Sequence, residues 1–224
     1  MKYKSIAVDG PSGAGKSTMA KQLAKALGYL YVDTGAIYRT LGLFALRSGV
    51  APDDADGVSA LLPKVSVRMA YGPDGLQHMY LGEEDVTDAI RRPEVSRAAS
   101  NVSALPTVRD FLLDMQRDMA KTNNVIMDGR DIGTVVLPGA DIKIFLTATP
   151  EDRAERRHAE LLARGIESDY ATVLSEIVER DHRDTTRAAA PLRQAPDAIL
   201  VDTTGNSMEE SFESLLNTIR ERLQ

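Results

Sequence analysis

The sequence predicts an α/β protein: a doubly wound parallel sheet of five strands, with a small antiparallel β insertion and a helical lid. Three observations lead to this prediction. Short, uniformly apolar runs alternate with longer amphipathic helical patterns, which is typical of parallel sheets that are buried on both faces. A glycine-rich segment joins the first apolar run to the first helical pattern. Two long stretches then interrupt the alternation, and they predict an insertion at 60–100 and a lid at 151–190.

Five apolar runs are the predicted strands of the sheet. They are Ser5–Val8, Tyr29–Val32, Val125–Met127, Ile142–Leu146 and Ala198–Val201. Four of the five runs have a carboxylate close behind them: Asp9, Asp33, Asp128 and Asp202. Continuous apolar runs of this length favour strands in the interior of a parallel sheet.

Helical patterns with recognisable ends lie between these runs. The first has an apolar stripe at helical spacing, and Gly28 is its predicted C-cap. Another begins with Pro150 at its first helical position. The last begins with a capping box formed by Ser207 and Glu210.

The two interruptions differ in composition. More than seventy residues separate the helix near Arg39–Arg47 from the strand at Val125, far more than an ordinary connection needs. Within them, Lys64–Ala70 and Leu76–Leu81 flank Gly72-Pro73-Asp74-Gly75, which predicts a hairpin. The lid is helical, rich in arginine and predicted to end at Pro191. We expect residues 1–224 to form a single domain that contains both.

Composition excludes several classes of site. The absence of cysteine removes disulfides, thiolate nucleophiles, iron–sulfur clusters and cysteine-ligated zinc. No apolar run approaches the roughly 20 residues that span a bilayer, and the first run is too short for a signal peptide, so we expect a soluble cytoplasmic protein. A net charge of −6 argues against nucleic acid and anionic membranes as partners. No heptad pattern is present, and a monomer is expected.

The phosphate loop carries the strongest functional signal. The segment Gly10-Pro11-Ser12-Gly13-Ala14-Gly15-Lys16-Ser17 matches G-x-x-x-x-G-K-[ST], and Thr18 follows it. The glycines let backbone amides turn toward phosphate oxygens, and the following helix presents its positive end. Lys16 is the expected ligand of the β- and γ-phosphates of ATP, and Ser17 the expected ligand of Mg²⁺. Because a strand precedes the loop and a helix follows it, we predict a nucleoside triphosphate site.

The loop alone leaves the reaction open. A GTPase should carry N-K-x-D for guanine, which does not occur here, and large mechanical ATPases need a longer chain. The small size and the lid favour a kinase that closes over two substrates. A kinase for UMP or a small metabolite and a non-catalytic nucleotide-binding regulator remain the alternatives.

Arginines placed just past strand ends predict a second anion site. Arg39 follows the second predicted strand, and Arg130 follows the third. Since the carboxyl ends of parallel strands face one crevice, both are candidate ligands of an acceptor phosphate. Eight of the 19 arginines lie between 153 and 193, where phosphate binding competes with a salt-bridged solvent face as the explanation.

Four motifs together resemble the bacterial cytidylate kinase family. They are G-P-S-G-A-G-K-S, D-T-G-A-I-Y-R, D-G-R-D-I-G-T and, later, Glu179-Arg180-Asp181 through Arg187 with Ala190-Pro191-Leu192. The resemblance covers nearly the whole chain, in order, and includes the insertion. Adenylate kinases share the first two motifs but typically lack the insertion and the third motif. The resemblance implies a P-loop nucleoside monophosphate kinase fold and ATP-dependent phosphorylation of CMP and dCMP.

The resemblance also implies roles for individual residues. Arg39, Arg130 and Arg187 would hold the acceptor phosphate, in a CMP site that also includes Ser12, Thr34 and Tyr38. Ser100, Arg109 and Asp131 would read the cytosine, while Asp184 and Arg180 would contact the sugar. Thr34 stands where the family often has serine, which keeps the hydroxyl and adds a methyl group.

The chemistry of the base agrees with these roles. Cytosine offers an amino donor and two acceptors, which Asp131, Ser100 and Arg109 can match. Uracil has an acceptor in place of the amino group, so a carboxylate there should disfavour UMP.

Catalysis is predicted to rest on charge neutralisation by Lys16 and by lid arginines. Arg153 and Arg157 are the candidates that share a helix face, although Arg156 and Arg164 are close in sequence. Asp128 is expected to orient water on Mg²⁺ or the attacking oxygen; the alternative is a strand-end carboxylate that caps a turn.

Overall fold

A computed structural model describes residues 3–72 and 75–223 of the chain. Pro73 and Asp74, the centre of the predicted hairpin turn, lie outside the described residues. The chain divides into two compact units. The first contains the residues up to Tyr31 and those from Thr122 onward, and the second contains Val32–Lys121.

The main sheet has the strand order β2-β6-β1-β7-β8. Its strands are β1 (Ser5–Asp9), β2 (Leu30–Asp33), β6 (Val125–Gly129), β7 (Ile142–Thr147) and β8 (Ile199–Asp202). The pairings of β1 with β6, β1 with β7 and β7 with β8 are parallel. The predicted five-stranded parallel sheet is therefore confirmed, with strand ends that differ from the predicted ones by one or two residues.

The helices of the first unit are α1 (Lys16–Leu27), α6 (Pro150–Ala163), α7 (Tyr170–Thr186) and α8 (Met208–Leu223). Of these, α1 and α8 pack on the sheet, whereas α6 and α7 pack on each other in a separate cluster. Alternate residues of β1, Ile6 and Val8, pack with Met19 and Leu23 of α1 and with Ile219 of α8 in one buried cluster. The predicted ends hold: Gly28 is left-handed at φ 67°, and Ser207 and Glu210 exchange capping hydrogen bonds.

The strand register sets the functional edge of this sheet. Asp9, the last residue of β1, pairs with Gly129 at the end of β6. Because the strands are parallel, the phosphate loop after β1 and the segment after β6 leave the sheet side by side. That second segment continues as a single π-helical turn, Ile132–Val136.

The second unit has its own core and its own sheet. It contains the helices α2 (Thr34–Arg47), α3 (Ala55–Leu61), α4 (Pro93–Val102) and α5 (Pro106–Thr122, whose last residue belongs to the first unit), with 3-10 turns at Leu62–Lys64 and Ala89–Arg91. Its antiparallel strands are β3 (Val67–Tyr71), β4 (Gln77–Leu81) and β5 (Glu84–Asp85). Ile37, Leu41, Met79 and Leu112 lie in the core that joins these elements. The predicted antiparallel strands are confirmed, with β5 as an unpredicted third strand.

The arginine-rich stretch consists of two helices. The first helix ends at Ala163, and Gly165 adopts φ 70°, a conformation that breaks the helix. The second helix ends at Thr186, four residues before Ala190, which itself has a positive φ of 48°. The structure thus ends the helix before Pro191. No helix among the described residues is both long and apolar enough to cross a bilayer.

Candidate active site

The phosphate loop connects β1 to α1 and contains three glycines with positive φ: Gly10, Gly13 and Gly15. Gly15 is the N-cap of α1 at φ 83°, and having no side chain it leaves the first amides of the helix uncapped by a side chain. Gly10 has φ 147°, and a Cβ there would lie 1.9 Å from the carbonyl oxygen of Leu146. The loop is therefore packed directly on β7, with its helix end available to an anion.

Lys16 is the buried cation of this loop. Its Nζ donates to the carbonyl oxygen of Pro11 at 2.6 Å. Burial lowers the pKa of Lys16 well below its ordinary value, and the positive charge of Arg130 lowers it further, while the negative charge of Asp128 opposes both. A bound polyphosphate would favour the charged ammonium at this position.

Ser17, Asp128 and Tyr31 form an oxygen-rich cluster beside the loop. The Ser17 hydroxyl donates to Asp128 Oδ2 at 2.8 Å, and the Tyr31 hydroxyl donates to Asp128 Oδ1 at 3.0 Å. The Asp128 carboxylate is buried at the end of β6. Oxygen donors of this kind suit Mg²⁺. Within residues 3–72 and 75–223 no group of three acidic or histidine side chains could hold a metal by itself.

Two arginine–aspartate pairs lie past the end of β6. Arg130 donates from Nε to Asp184 Oδ2 at 2.9 Å, and Arg187 donates from Nη2 to Asp131 Oδ1 at 3.3 Å. Burial alone would raise the pKa of Asp184, but the charges of Arg130 and Arg180 lower it on balance. Burial would likewise lower the pKa of Arg130, and Asp184 raises it instead. Arg130 and Asp184 each therefore stabilise the charged form of the other.

Arg187 is fixed by the chain turn that follows α7. Its Nε and Nη2 donate to the carbonyl oxygen of Ala190 at 2.9 and 2.7 Å. The backbone N–H of Leu192 donates to the carbonyl oxygen of Asp184 at 2.7 Å. The turn thus holds the guanidinium of Arg187 in place through backbone contacts. On the same helix, Arg180 Nε lies 4.0 Å from Asp184 Oδ2.

The lid arginines have different surroundings. Arg153 is only 2 % exposed, and it donates to the carbonyl oxygens of Ala148 and Ser12 and to Asp181 at 2.9, 2.8 and 2.5 Å. Arg156 forms an ion pair with Asp152 and donates to the Thr203 carbonyl oxygen at 2.8 Å.

Arg157 is more exposed than these two. Its side chain has 40 % of its area accessible and pairs with Glu160 at 2.9 Å. Arg164 pairs with the same glutamate at 2.5 Å. Arg153 thus already contacts the phosphate loop, whereas Arg157 is paired, among the described residues, with the exposed Glu160.

In the second unit, Asp33 organises the start of α2. Its Oδ1 accepts from the Ala36 N–H at 2.9 Å as an N-cap, and its Oδ2 accepts from Arg39 Nη2 at 2.8 Å. Gln77 of β4 brackets the same residue: its amide accepts from the Asp33 N–H at 2.8 Å and donates to the Asp33 carbonyl oxygen at 3.2 Å. Arg39 is therefore oriented by a residue that is itself fixed from the antiparallel sheet.

The predicted base-reading residues of this unit lie on α4 and α5. Ser100 and Arg109 are both buried. Arg109 donates from Nη1 to the Ser103 carbonyl oxygen at 3.1 Å, and its guanidinium lies 5.6 Å from the ring centroid of Tyr38. Thr34, the first residue of α2, is also buried.

The structure groups the predicted site residues by unit. The first unit holds the whole phosphate loop with Asp128, Arg130, Asp131, Arg153, Arg157, Arg180, Asp184 and Arg187, and the second holds Thr34, Tyr38, Arg39, Ser100 and Arg109. Sequence reasoning missed two residues that organise these groups, Gln77 and Asp9. Asp9 had a visible signal as a strand-end carboxylate, whereas a glutamine within a hairpin strand has none.

Comparison with known proteins identifies close relatives. The family model described as "Cytidylate kinase" matches residues 6–221. A cytidylate kinase of Carboxydothermus hydrogenoformans is 51 % identical over 96 % of both chains, and one of Exiguobacterium sp. is 50 % identical over 96 % of both. A cytidylate kinase of Mycobacterium avium is 47 % identical over 97 % of this chain and 95 % of its own.

Solved structures resemble the fold at much lower identity. An uncharacterized protein from Eubacterium ventriosum aligns with a TM-score of 0.53 at 12 % identity, covering 97 % of this chain and 98 % of its own. A gluconokinase from Sinorhizobium meliloti aligns with a TM-score of 0.50 at 16 % identity, covering 100 % of this chain and 97 % of its own. These two likenesses concern the fold alone.

Proposed function

The chain belongs to the cytidylate kinase family and is a phosphotransferase, and we propose that it transfers the γ-phosphoryl group of ATP to CMP and dCMP. The products are CDP or dCDP and ADP. An oxygen of the monophosphate attacks the γ-phosphorus, and the bond from that phosphorus to the β,γ-bridging oxygen breaks. The bridging oxygen keeps the bonding electron pair and becomes a terminal oxygen of ADP.

One observation carries this proposal: two cationic side chains, Lys16 and Arg130, follow neighbouring strands at one edge of the sheet. Lys16 follows β1 and Arg130 follows β6, at the ends of strands whose last residues pair with each other. The charge of Arg130 contributes to the lowered pKa of Lys16, so the two cations act on each other. Two neighbouring cations favour bound anionic groups, as a donor and an acceptor phosphate provide.

The donor site is proposed on the phosphate loop. The backbone N–H groups of 10–18, except at Pro11, which has none, and the ammonium of Lys16 would bind the β- and γ-phosphates of ATP. The oxygen donors beside the loop fit Mg²⁺, with Ser17 as a ligand and Asp128 acting through water. When bound, Mg²⁺ supplies charge neutralisation at the phosphates. Tyr31 holds the Asp128 carboxylate in place for this role.

The acceptor phosphate is proposed to bind three arginines: Arg39, Arg130 and Arg187. Each is oriented by an aspartate, namely Asp33, Asp184 and Asp131. An arginine held by one carboxylate keeps further N–H donors for a phosphate, in a planar fork that suits it. Ser12, Thr34 and Tyr38 are proposed to complete this part of the site.

Base and sugar recognition are proposed to use the remaining predicted residues. Asp131 would accept from the cytosine amino group, while Ser100 and Arg109 would complete the match to the base. Asp184 and Arg180 would bind the sugar. Because uracil has an acceptor in place of the amino group, the Asp131 carboxylate would face it without a donor, which favours CMP over UMP.

The lid arginines are proposed to divide two tasks. Arg153 contacts the loop carbonyl of Ser12 and is proposed to hold the loop against the lid while adding positive charge there. Arg157 has only an exposed partner, so it is proposed to leave Glu160 and neutralise the transferred phosphoryl group. The exposed ion pair costs little to break.

We further propose a monomer that acts in the cytoplasm and binds neither nucleic acid nor membrane, as the charge of −6 and the sequence without heptads suggest. Light scattering after gel filtration measures the mass directly. A mass near 24.4 kDa supports the monomer, and twice that value contradicts it.

The decisive experiment is ADP formation from ATP and Mg²⁺ with CMP, dCMP, UMP, AMP or no acceptor. Turnover with CMP and dCMP, and far less with UMP and AMP, is expected. Equal turnover of UMP would remove the base-reading role of Asp131. ATP binding with no acceptor-dependent turnover would overturn the proposed function and favour a nucleotide-binding regulator.

A further inference from the structure

Asp9 is a buried carboxylate for which the proposed reaction has no direct use. It is the last residue of β1, directly before the phosphate loop, and only 3 % of its surface is exposed. Its Oδ1 accepts from the N–H of Ile132 at 2.7 Å, and its Oδ2 accepts from the N–H of Gly133 at 2.7 Å. Both oxygens are thus committed to a segment more than 120 residues away in the chain.

These two amides are the first donors of the π-helical turn Ile132–Val136. The first amides of any helical turn lack partners within the turn, and the preceding residue often supplies one from its side chain. Here Asp131 occupies the N-cap position, yet its side chain makes no capping hydrogen bond. Asp131 Oδ1 accepts from Arg187 instead. Asp9 therefore performs the capping that Asp131 would otherwise perform.

Gly133 lies close to side chains of two neighbouring strands. A Cβ at Gly133 would lie 3.3 Å from Asp9 Oδ2 and 3.1 Å from the Cδ of Lys143 on β7. Lys143 is buried along its length and donates to Asp197 at 3.0 Å. The turn is thus held between a charged acceptor and an immobilised side chain.

We propose that Asp9 is a positioning residue for the acceptor site. By accepting from the N–H groups of 132 and 133, it fixes the backbone from which Arg130 and Asp131 project. Because Asp9 caps the turn, the Asp131 carboxylate can bind other partners. This inference rests on the proposed function, because Arg130 and Asp131 are the proposed ligands of the acceptor phosphate and of cytosine. Asp9 itself is not proposed to touch either substrate.

The ionisation of Asp9 supplies a signature for this role. Burial raises the pKa of Asp9 to about 6, although the two amides lower it. Among the charged groups around it, Asp131 raises this pKa and Lys16 lowers it. In a protonated carboxyl, the oxygen that carries the proton is a much weaker acceptor than a carboxylate oxygen. One of the two amide hydrogen bonds to Asp9 should therefore weaken as the pH falls through about 6.

The test compares Asp9→Asn and Asp9→Ala with wild type and with Asp202→Asn. Asp202 is a matched control, because it also ends a strand and accepts two hydrogen bonds, from the N–H and hydroxyl of Thr204 at 2.9 and 2.6 Å. Kd values for CMP alone and for ATP alone are measured by calorimetry, and kcat and both KM values by ADP release. Circular dichroism checks that each variant is folded.

For Asp9→Asn we expect about a tenfold rise in the KM and Kd of CMP, because one of the two amides loses its acceptor. Asp9→Ala should raise both by more, whereas Asp202→Asn should leave them unchanged. The Kd of ATP should change by less than about threefold, although Asp9 adjoins the loop. Unchanged CMP binding in both Asp9 variants, or an equal loss of ATP and CMP binding, would overturn the proposal.

The pH profile separates positioning from a general structural effect. The ratio of KM for CMP in Asp9→Asn to that in wild type should be largest at pH 8 and approach one below pH 5. Titration of the CMP phosphate affects both proteins and cancels in this ratio. A ratio that does not vary with pH would contradict the role of the charged cap. Wild-type turnover of CMP tests the proposed function independently of either variant.

Discussion

Substitution of Asp9 by asparagine should change how stability depends on pH. The carboxyl is 3 % exposed, and burial raises its pKa from 3.8 to about 6. A carboxyl whose pKa is higher in the folded state stabilises the protein below pH 3.8, and this stabilisation is lost as the pH rises through about 6. A difference of about two pKa units corresponds to about 3 kcal/mol in the free energy of unfolding. About 2 kcal/mol of this stabilisation is lost between pH 4.5 and pH 8.

The assay is urea unfolding at several pH values between 4.5 and 8, with the free energy extrapolated to water. The difference in free energy of unfolding, wild type minus Asp9→Asn, should fall by about 2 kcal/mol from pH 4.5 to 8. The asparagine leaves one amide without its acceptor, which costs about 1–3 kcal/mol. Wild-type protein with a protonated Asp9 shares this loss, and because the amide hydrogen bonds already contribute to the pKa of about 6, the expected slope stays the same.

Asp202→Asn supplies a control whose difference from wild type should vary little between pH 4.5 and 8, because the pKa of Asp202 lies below 3.8. Hydrogen bonds from the Thr204 hydroxyl and N–H lower the pKa of Asp202. Its stabilisation is therefore present at neutral pH and lost as the pH falls through the lowered pKa. If wild type and Asp9→Asn show parallel stability curves across pH 4.5 to 8, Asp9 does not titrate with a raised pKa and our account of its burial is wrong.

Three further predictions concern the proposed ligands and the lid. Arg39→Ala should raise the KM of CMP by about tenfold to a hundredfold with the KM of ATP unchanged, since a charge-assisted hydrogen bond is lost. Arg47→Ala is the control, because Arg47 lies on the same helix but pairs with Glu84. An equal rise in the KM of CMP for both variants would contradict the assignment of Arg39. Arg157→Ala should lower kcat by about 10³-fold or more. Arg156→Ala should lower the free energy of unfolding by about 1–3 kcal/mol with kcat nearly unchanged, because the hydrogen bonds to Thr203 are lost. Steady-state kinetics and urea unfolding of both variants test this pair of predictions. A large loss of kcat in Arg156→Ala and not in Arg157→Ala would assign the catalytic role to Arg156 instead. Ser17→Ala should raise the Mg²⁺ concentration needed for half-maximal turnover in a magnesium titration, and an unchanged requirement would remove the hydroxyl from the metal site.

Locally encoded features of the fold were predictable from the sequence. The five strands follow from apolar runs, and the phosphate loop follows from glycines that must adopt φ values of 147°, 78° and 83°. Caps such as Ser207 with Glu210 depend on residues three positions apart, so the pattern identifies them directly. The two-residue strand Glu84–Asp85 and the π-helical turn at 132–136 were not predictable, because both are too short to show a period.

The resemblance to a family was also readable in the sequence, and the comparisons confirm it over residues 6–221. Its motifs named Arg130, Asp184 and Arg187 as functional residues without naming their partners. Arg130 meets Asp184 across 54 residues, and Arg187 meets Asp131 across 56. Motif content thus predicts which residues act, while the pairing that orients them depends on how distant segments fold together.

The sequence by itself determined the class of the sheet, the position of the triphosphate loop and the type of residue at each strand end. Those features depend on side chains within a few residues of one another, where spacing and backbone preference decide the outcome. Only the tertiary structure decided that Arg153 is buried against the loop carbonyl of Ser12, that Gln77 brackets Asp33, and that Asp9 caps a turn 123 residues away. Each of these contacts satisfies a backbone donor or acceptor, and such a group bonds to whichever side chain the packing of the core brings within about 3 Å.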